Sequence, residues 1–144
     1  MDEHAYRQQL QAMPDQRCPF AQALLGKCVE CARADRMQIA EREVIRCSEA
    51  TCHARCVRLY LQLRHSFGFA LGMTHDDAAI PHAKQMHIQC GGLQGLSSVL
   101  KGESEVDDVD ALLCLAEQRW VDIEDIPYSE VIHAARLSYK GRHA

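Results

Sequence analysis

No stretch of this 144-residue chain approaches the roughly 18 apolar residues of a membrane span. The most apolar run, Val57 to Met73, is broken by Arg58, Arg64 and His65, so no membrane insertion is expected. The opening MDEHAYRQQL has neither the basic start nor the apolar run of a secretory signal. The expected compartment is therefore the cytoplasm, where structural disulfides are rare. Walker loop, Rossmann glycine pattern, HExxH and nucleophile elbow are all missing. Aromatic residues are few, at 6%, and with no substrate motif in view a carrier or sensor is favoured over an enzyme. Strand alternation, internal repeats, low-complexity tracts and heptad arrays are absent too, which leaves an all-α reading as a small helical bundle.

Cysteine is what the chain has in excess. Six of its eight cysteines fall between Cys18 and Cys56, spaced C-x9-C-x2-C-x15-C-x4-C-x3-C, and Cys90 follows in an Ile-Gln-Cys-Gly-Gly context. A lone buried thiol is a small hydrophobe. That account suits Cys114, which has no cysteine near it in the sequence, but not a cluster of this density. In a reducing compartment such a cluster points to metal or redox chemistry. Thiolates select zinc, iron–sulfur clusters or cuprous copper. Zinc is the alternative reading, but it commonly uses two short-spaced couples in a small module with little core, whereas these thiols continue the apolar stripes of expected helices. Iron–sulfur is the leading reading, as one or two 4Fe-4S clusters, although neither the dicluster nor the plant-type ferredoxin spacing is present.

The candidate ligands are Cys18, Cys28, Cys31, Cys47, Cys52, Cys56 and Cys90, with Cys28, Cys31, Cys52 and Cys56 ranked first. Pro19 suits the first position of a helix and places Cys18 at its N-cap, with Gly26 closing that helix. Cys28 and Cys31 are expected on the first turn of a helix running from Cys28 to Ile45. Cys52 and Cys56 lie on the stripe Cys52, Cys56, Leu59, Leu63, Phe67 and Ala70 of a helix from about Ala50 to Met73. In a helix opened by Pro81, the inward stripe is Ala83, Met86, Cys90, Leu93, Leu96 and Leu100, while Gly91, Gly92 and Gly95 call for close backbone approach. Cys18 beside a helix start and Cys90 before two glycines would have amide hydrogens around their thiolates. Should a second cluster need another ligand, His53, His82 and His87 are nearest, though His53 is expected to face away from the cysteine stripe and His87 to lie on the surface. His75 with Asp76 and Asp77 reads as a solvated loop.

Organisation and charge complete the expectation. A short helix over residues 2 to 13 is expected to stop before Pro14. The chain reads as one domain over 1-144, with a cysteine-bearing core over 14-102 and an acidic segment over 103-144 packed on it as two helices, 106 to 120 and Ser129 to Lys140. Seven arginines and four acids lie between Arg33 and Arg64, against nine acids and one base between Glu103 and Asp125. The two regions are expected to face each other or to be solvated. The overall charge of −4 and the lack of a recognition helix argue against nucleic acid as a partner. A protein redox partner is expected instead. The alternatives are a zinc-stabilised interaction module and an enzyme or metal-delivery factor with an open site.

Overall fold

The computed structural model describes residues 16–73 and 79–139. The helix expected over 2 to 13 and the loop containing His75 lie outside that range. The architecture is mostly helical with one small two-stranded sheet. In order the elements are α1 (Ala21–Leu25), β1 (Ala34–Ile39), β2 (Arg42–Cys47), α2 (Ala50–Ala70), α3 (His82–Met86), a π-helical turn (His87–Gly91), α4 (Gly92–Lys101), α5 (Val109–Trp120), a 3-10 turn (Ile123–Asp125) and α6 (Tyr128–Ser138).

The periodic segments fold as their spacing predicts. In α2 the side chains of Cys56, Leu59, Leu63 and Phe67 are buried; in α5 Val109, Leu112, Leu113 and Ala116 are buried, and in α6 Val131 and Ala135. Buried residues from Phe20 to Ala135 form one continuous hydrophobic cluster, so the acidic C-terminal helices share their apolar faces with the cysteine-bearing region.

The helix expected from Cys28 to Ile45 is instead a turn followed by a β-hairpin. β1 and β2 pair antiparallel, with Arg36 opposite Ile45 and Gln38 opposite Glu43. Ala40 and Glu41 make the turn at φ of 50° and 67°. Positive φ at both central residues is the mirror-image turn that suits the strand twist, normally signalled by Asn-Gly or Asp-Gly. Here the signal is missing because alanine and glutamate occupy it. Alternation is also blurred, since the adjacent Val44 and Ile45 are both buried. The chain before α1 pairs on the far side of β2, with Cys18 N–H donating to Ile45 O at 2.8 Å and Cys47 N–H to Gln16 O at 2.6 Å.

α3, the π-helical turn and α4 run on as one rod, with right-handed helical backbone through His87, Gly91 and Gly92. A π-turn inserts an extra residue per turn and shifts the buried face. In consequence Ile88 through Leu93 are buried without interruption, and the inward stripe holds at Cys90, Leu93 and Leu96 while Ala83 is exposed. The glycines do mark close approach. A Cβ on Gly92 would lie 2.7 Å from Leu63 Cδ1, and one on Gly95 would strike the backbone of α6.

Candidate metal centre

Four thiols are brought to one small hollow by four different pieces of chain. Cys18, Cys31, Cys47 and Cys56 all line it, together with Leu24, Val109 and the side chains of Arg33, Arg46 and His53. Backbone pairing explains the convergence. Cys47 ends β2, flanked on one side by residues 16–18 and on the other by Ala34, which is its partner in the hairpin. Ser48 N–H donates to Arg33 O at 2.8 Å, which holds the turn bearing Cys31 against the end of β2.

That turn is also stitched to the start of α5. Glu30 N–H donates to Val106 O, Val109 N–H to Glu30 O, and Ala32 N–H to the Asp108 carboxylate at 2.9 Å. Cys56 comes from the second turn of α2. Its own helix therefore supplies one thiol, while the rest depend on register between distant segments.

Backbone amides meet two of the sulfurs. The Phe20 amide reaches Cys18, although the helix begins at Ala21 with Phe20, not Cys18, at its N-cap, and the Arg33 and Asp110 amides reach Cys31. These bonds favour thiolate, but burial dominates. It pushes the Cys18 thiol up to about 12, with Cys31 and Cys47 adding repulsion. Burial likewise raises Cys56, as does the neighbouring Cys18, against an opposing pull from Arg55. Burial thus disfavours the thiolates of Cys18, Cys31 and Cys56, and a bound metal would reverse that balance while releasing protons.

The hollow is about 20 Å³, near the size of one water. Among the described residues no group of three or more His, Cys, Asp and Glu side chains is set to hold a metal ion as it stands.

The other expected ligands are placed elsewhere. Cys28 and Cys90 are joined to each other in a disulfide, with Cα atoms 6.1 Å apart. Cys28 follows Gly26 in a turn, so it does not share a helical face with Cys31, and Cys90 is fully buried in the π-turn. The sequence placed both among the metal ligands, Cys90 with amide hydrogens around its thiolate; in this structure their sulfurs are bonded to each other. Cys52 does not line the hollow. It is half-buried, and its thiol is raised to about 11 by burial and by its hydrogen bond to the Asp110 carboxylate. Cys114 is exposed, 3.6 Å from Arg55 Nη1.

The histidines also depart from expectation. His53 is among the residues lining the hollow, with Nε2 2.9 Å from Arg17 O. His87 is half-buried between the rings of Phe67 and Tyr139, at centroid distances of 5.5 Å and 5.0 Å. Burial lowers its pKa, with Arg136 adding to the shift. His82 is exposed.

The Arg-rich and acidic regions do face each other, beside the hollow. Arg55 pairs with Asp110 at 2.6 Å and Glu117 at 3.0 Å, Arg33 with Asp110 at 3.4 Å, and Arg58 with Glu124. Burial pushes the Asp110 carboxyl up, but the Cys52 thiol, Arg55 and Arg33 together outweigh it and hold it low. A depressed carboxyl stabilises the fold above its unfolded pKa, and that contribution is lost as pH falls through the folded value. Asp110→Asn is therefore expected to cost about 2 kcal/mol at neutral pH, the scale of a hydrogen bond to a charged group. The difference from wild type should shrink below about pH 4; urea melts across pH 3–7 measure it, and a constant difference would contradict the assignment.

No protein-family model, curated protein sequence or solved structure matches this chain.

Proposed function

We propose that this chain is an iron–sulfur protein whose single centre is held by Cys18, Cys31, Cys47 and Cys56, and that it passes electrons to, or reports oxidant status to, a partner protein. The observation that carries the reading is the convergence of those four thiols, each from a separate element, on one hollow flanked by Arg33 and Arg46. A bound cluster supplies reversible electron transfer at a potential tuned by hydrogen bonds and burial. The chain's own part is to tune it. The amides of Phe20, Arg33 and Asp110 bond to ligand sulfurs, the arginines offset negative charge, and Leu24 and Val109 keep the wall apolar.

One centre rather than two follows from the remaining cysteines. Cys28 and Cys90 are spent on each other, while Cys52 and Cys114 belong to the Arg55–Asp110 network. A zinc site would place four sulfurs about 2.3 Å from one point, typically in a module without a core of its own. This fold has an extensive core, and its four thiols come from widely separated segments.

Among the described residues no helix is long and apolar enough to cross a membrane. The cytoplasm fits this reading because free thiols persist there, and full burial of Cys90 limits access of reductants to the disulfide.

The test is iron, sulfide and zinc content of protein purified without oxygen. Iron with matching sulfide and a broad band near roughly 400 nm is expected. Cys→Ser at 18, 31, 47 or 56 should each lower iron content severalfold, whereas Cys52→Ser and Cys114→Ser should leave it unchanged. Zinc alone, or no metal at all, would overturn the proposal.

A further inference from the structure

Opposite its buried stripe, α2 presents a second one to solvent. Arg58, Leu61, His65 and Phe69 follow one another at three- and four-residue steps and so share one side of the helix. All four are exposed, Leu61 by more than half and Phe69 completely. Gly68 lies on the same side, and nothing comes within 4 Å of a Cβ built there. Glycine is unfavourable in a helix interior. The single chain makes no use of the missing side chain, whereas a second helix crossing there could approach closely.

The two ends of this stripe differ in charge. At the Arg58 end lies the acidic 3-10 turn, where both oxygens of Glu124 accept from Arg58. Asp122 and Asp125 beside it are exposed and make no ion pair among the described residues. At the other end Arg136 of α6 donates to Ala70 O at 3.4 Å and has no carboxylate partner among the described residues. Arg58 and Ala70 are twelve residues apart on α2, about 18 Å by helical rise. The helix itself carries no aspartate or glutamate.

We infer that a second copy of this chain covers the stripe, α2 against α2, antiparallel about a twofold axis at His65. Leu61 and Phe69 lie four residues to either side of His65, so the axis sets each Phe69 on the Leu61 of the other copy. It also sets each acidic turn against the other copy's Arg136. A parallel pairing would oppose like charges at both ends, and a partner of one charge sign would meet its own sign at one of them. The antiparallel contact is isologous and closes as a dimer. One helix face is small beside a standard interface, so the dimer is weak, with Kd in the micromolar range. None of these residues lines the thiol hollow, so the pairing stands independently of the metal reading.

The test is sedimentation equilibrium of the full chain, purified without oxygen, from about 1 μM to about 1 mM. The mass is expected to rise from 16.2 kDa toward twice that value. Leu61→Gln and Phe69→Gln should each raise Kd about tenfold or more. Neither should shift the Tm of dilute protein appreciably, because both side chains face solvent in the single chain. A chain carrying Arg136→Asp, and another carrying Asp122→Arg with Asp125→Arg, should each associate more weakly than wild type. Mixed in equal amounts, the two should recover association, since both charge contacts are then restored. A monomer at about 1 mM, or association indifferent to both apolar substitutions, would overturn the inference. Failure of the charge-reversed mixture to recover would overturn the antiparallel pairing.

Discussion

Replacing Cys28 and Cys90 together by alanine is expected to remove about 4 kcal/mol of stability. The bond joins residues 62 apart in sequence, and closing a loop of that length in the unfolded chain removes entropy worth roughly that amount near 25 °C. Against a typical stability of about 5–15 kcal/mol this is a large fraction. The effect should not stop at stability. Cys28 anchors the turn that presents Cys31, so the unbridged variant should also hold metal less tightly. Urea melts of the wild type with and without a strong reductant, beside the double alanine variant, provide the measurement. Agreement between the reduced wild type and the variant is expected. If reductant leaves the wild-type midpoint where it was and free-thiol titration finds all eight cysteines reactive on denaturation, the bridge is not formed in the protein.

Gly95→Ala should destabilise by about 3 kcal/mol, at the upper end of the range for overpacking. Helix propensity alone would favour alanine by about 1 kcal/mol, so the sign is decided by packing. A Cβ there would meet the Val131 carbonyl oxygen and lie 2.9 Å from Ala135 N and 3.2 Å from Ala135 Cα. Those are backbone atoms that cannot rotate aside, so α4 and α6 would have to part. Gly68 in α2 provides the control, because nothing lies within 4 Å of a Cβ built there. Gly68→Ala is expected to raise stability by up to about 1 kcal/mol. Thermal melts of the two variants should move in opposite directions. A Gly95→Ala protein as stable as wild type would mean that the α4–α6 contact is looser than described.

Local pattern was enough to read α2, α4, α5 and α6, because a helix buries residues three and four apart and that spacing survives whatever the helix packs against. It was also enough to read the close approach at Gly92 and Gly95, and the complementary charge of the two regions that Arg55, Asp110 and Glu117 now link. The density of thiols between Cys18 and Cys56 singled out the stretch from which Cys18, Cys31, Cys47 and Cys56 come to line one hollow. Spacing could not say which thiols meet. The C-x-x-C pair looked like two neighbours on one helix turn, but that segment is a turn leading into a hairpin whose Ala40–Glu41 bend carries no glycine or asparagine.

Only the tertiary structure decided that Cys28 leaves Cys31 for Cys90, that Cys52 turns to Asp110, and that His53 lines the hollow with its ring nitrogen on the Arg17 carbonyl. It also supplied Gln89, whose buried amide ties α1 to the π-turn and which no sequence pattern singled out. The physical reason is range. Helical periodicity and charge blocks are written within a few residues of each other, whereas the thiol grouping depends on backbone hydrogen bonds such as Cys18 to Ile45 and Ser48 to Arg33. These form only once segments far apart in the chain are held in register by the core between them.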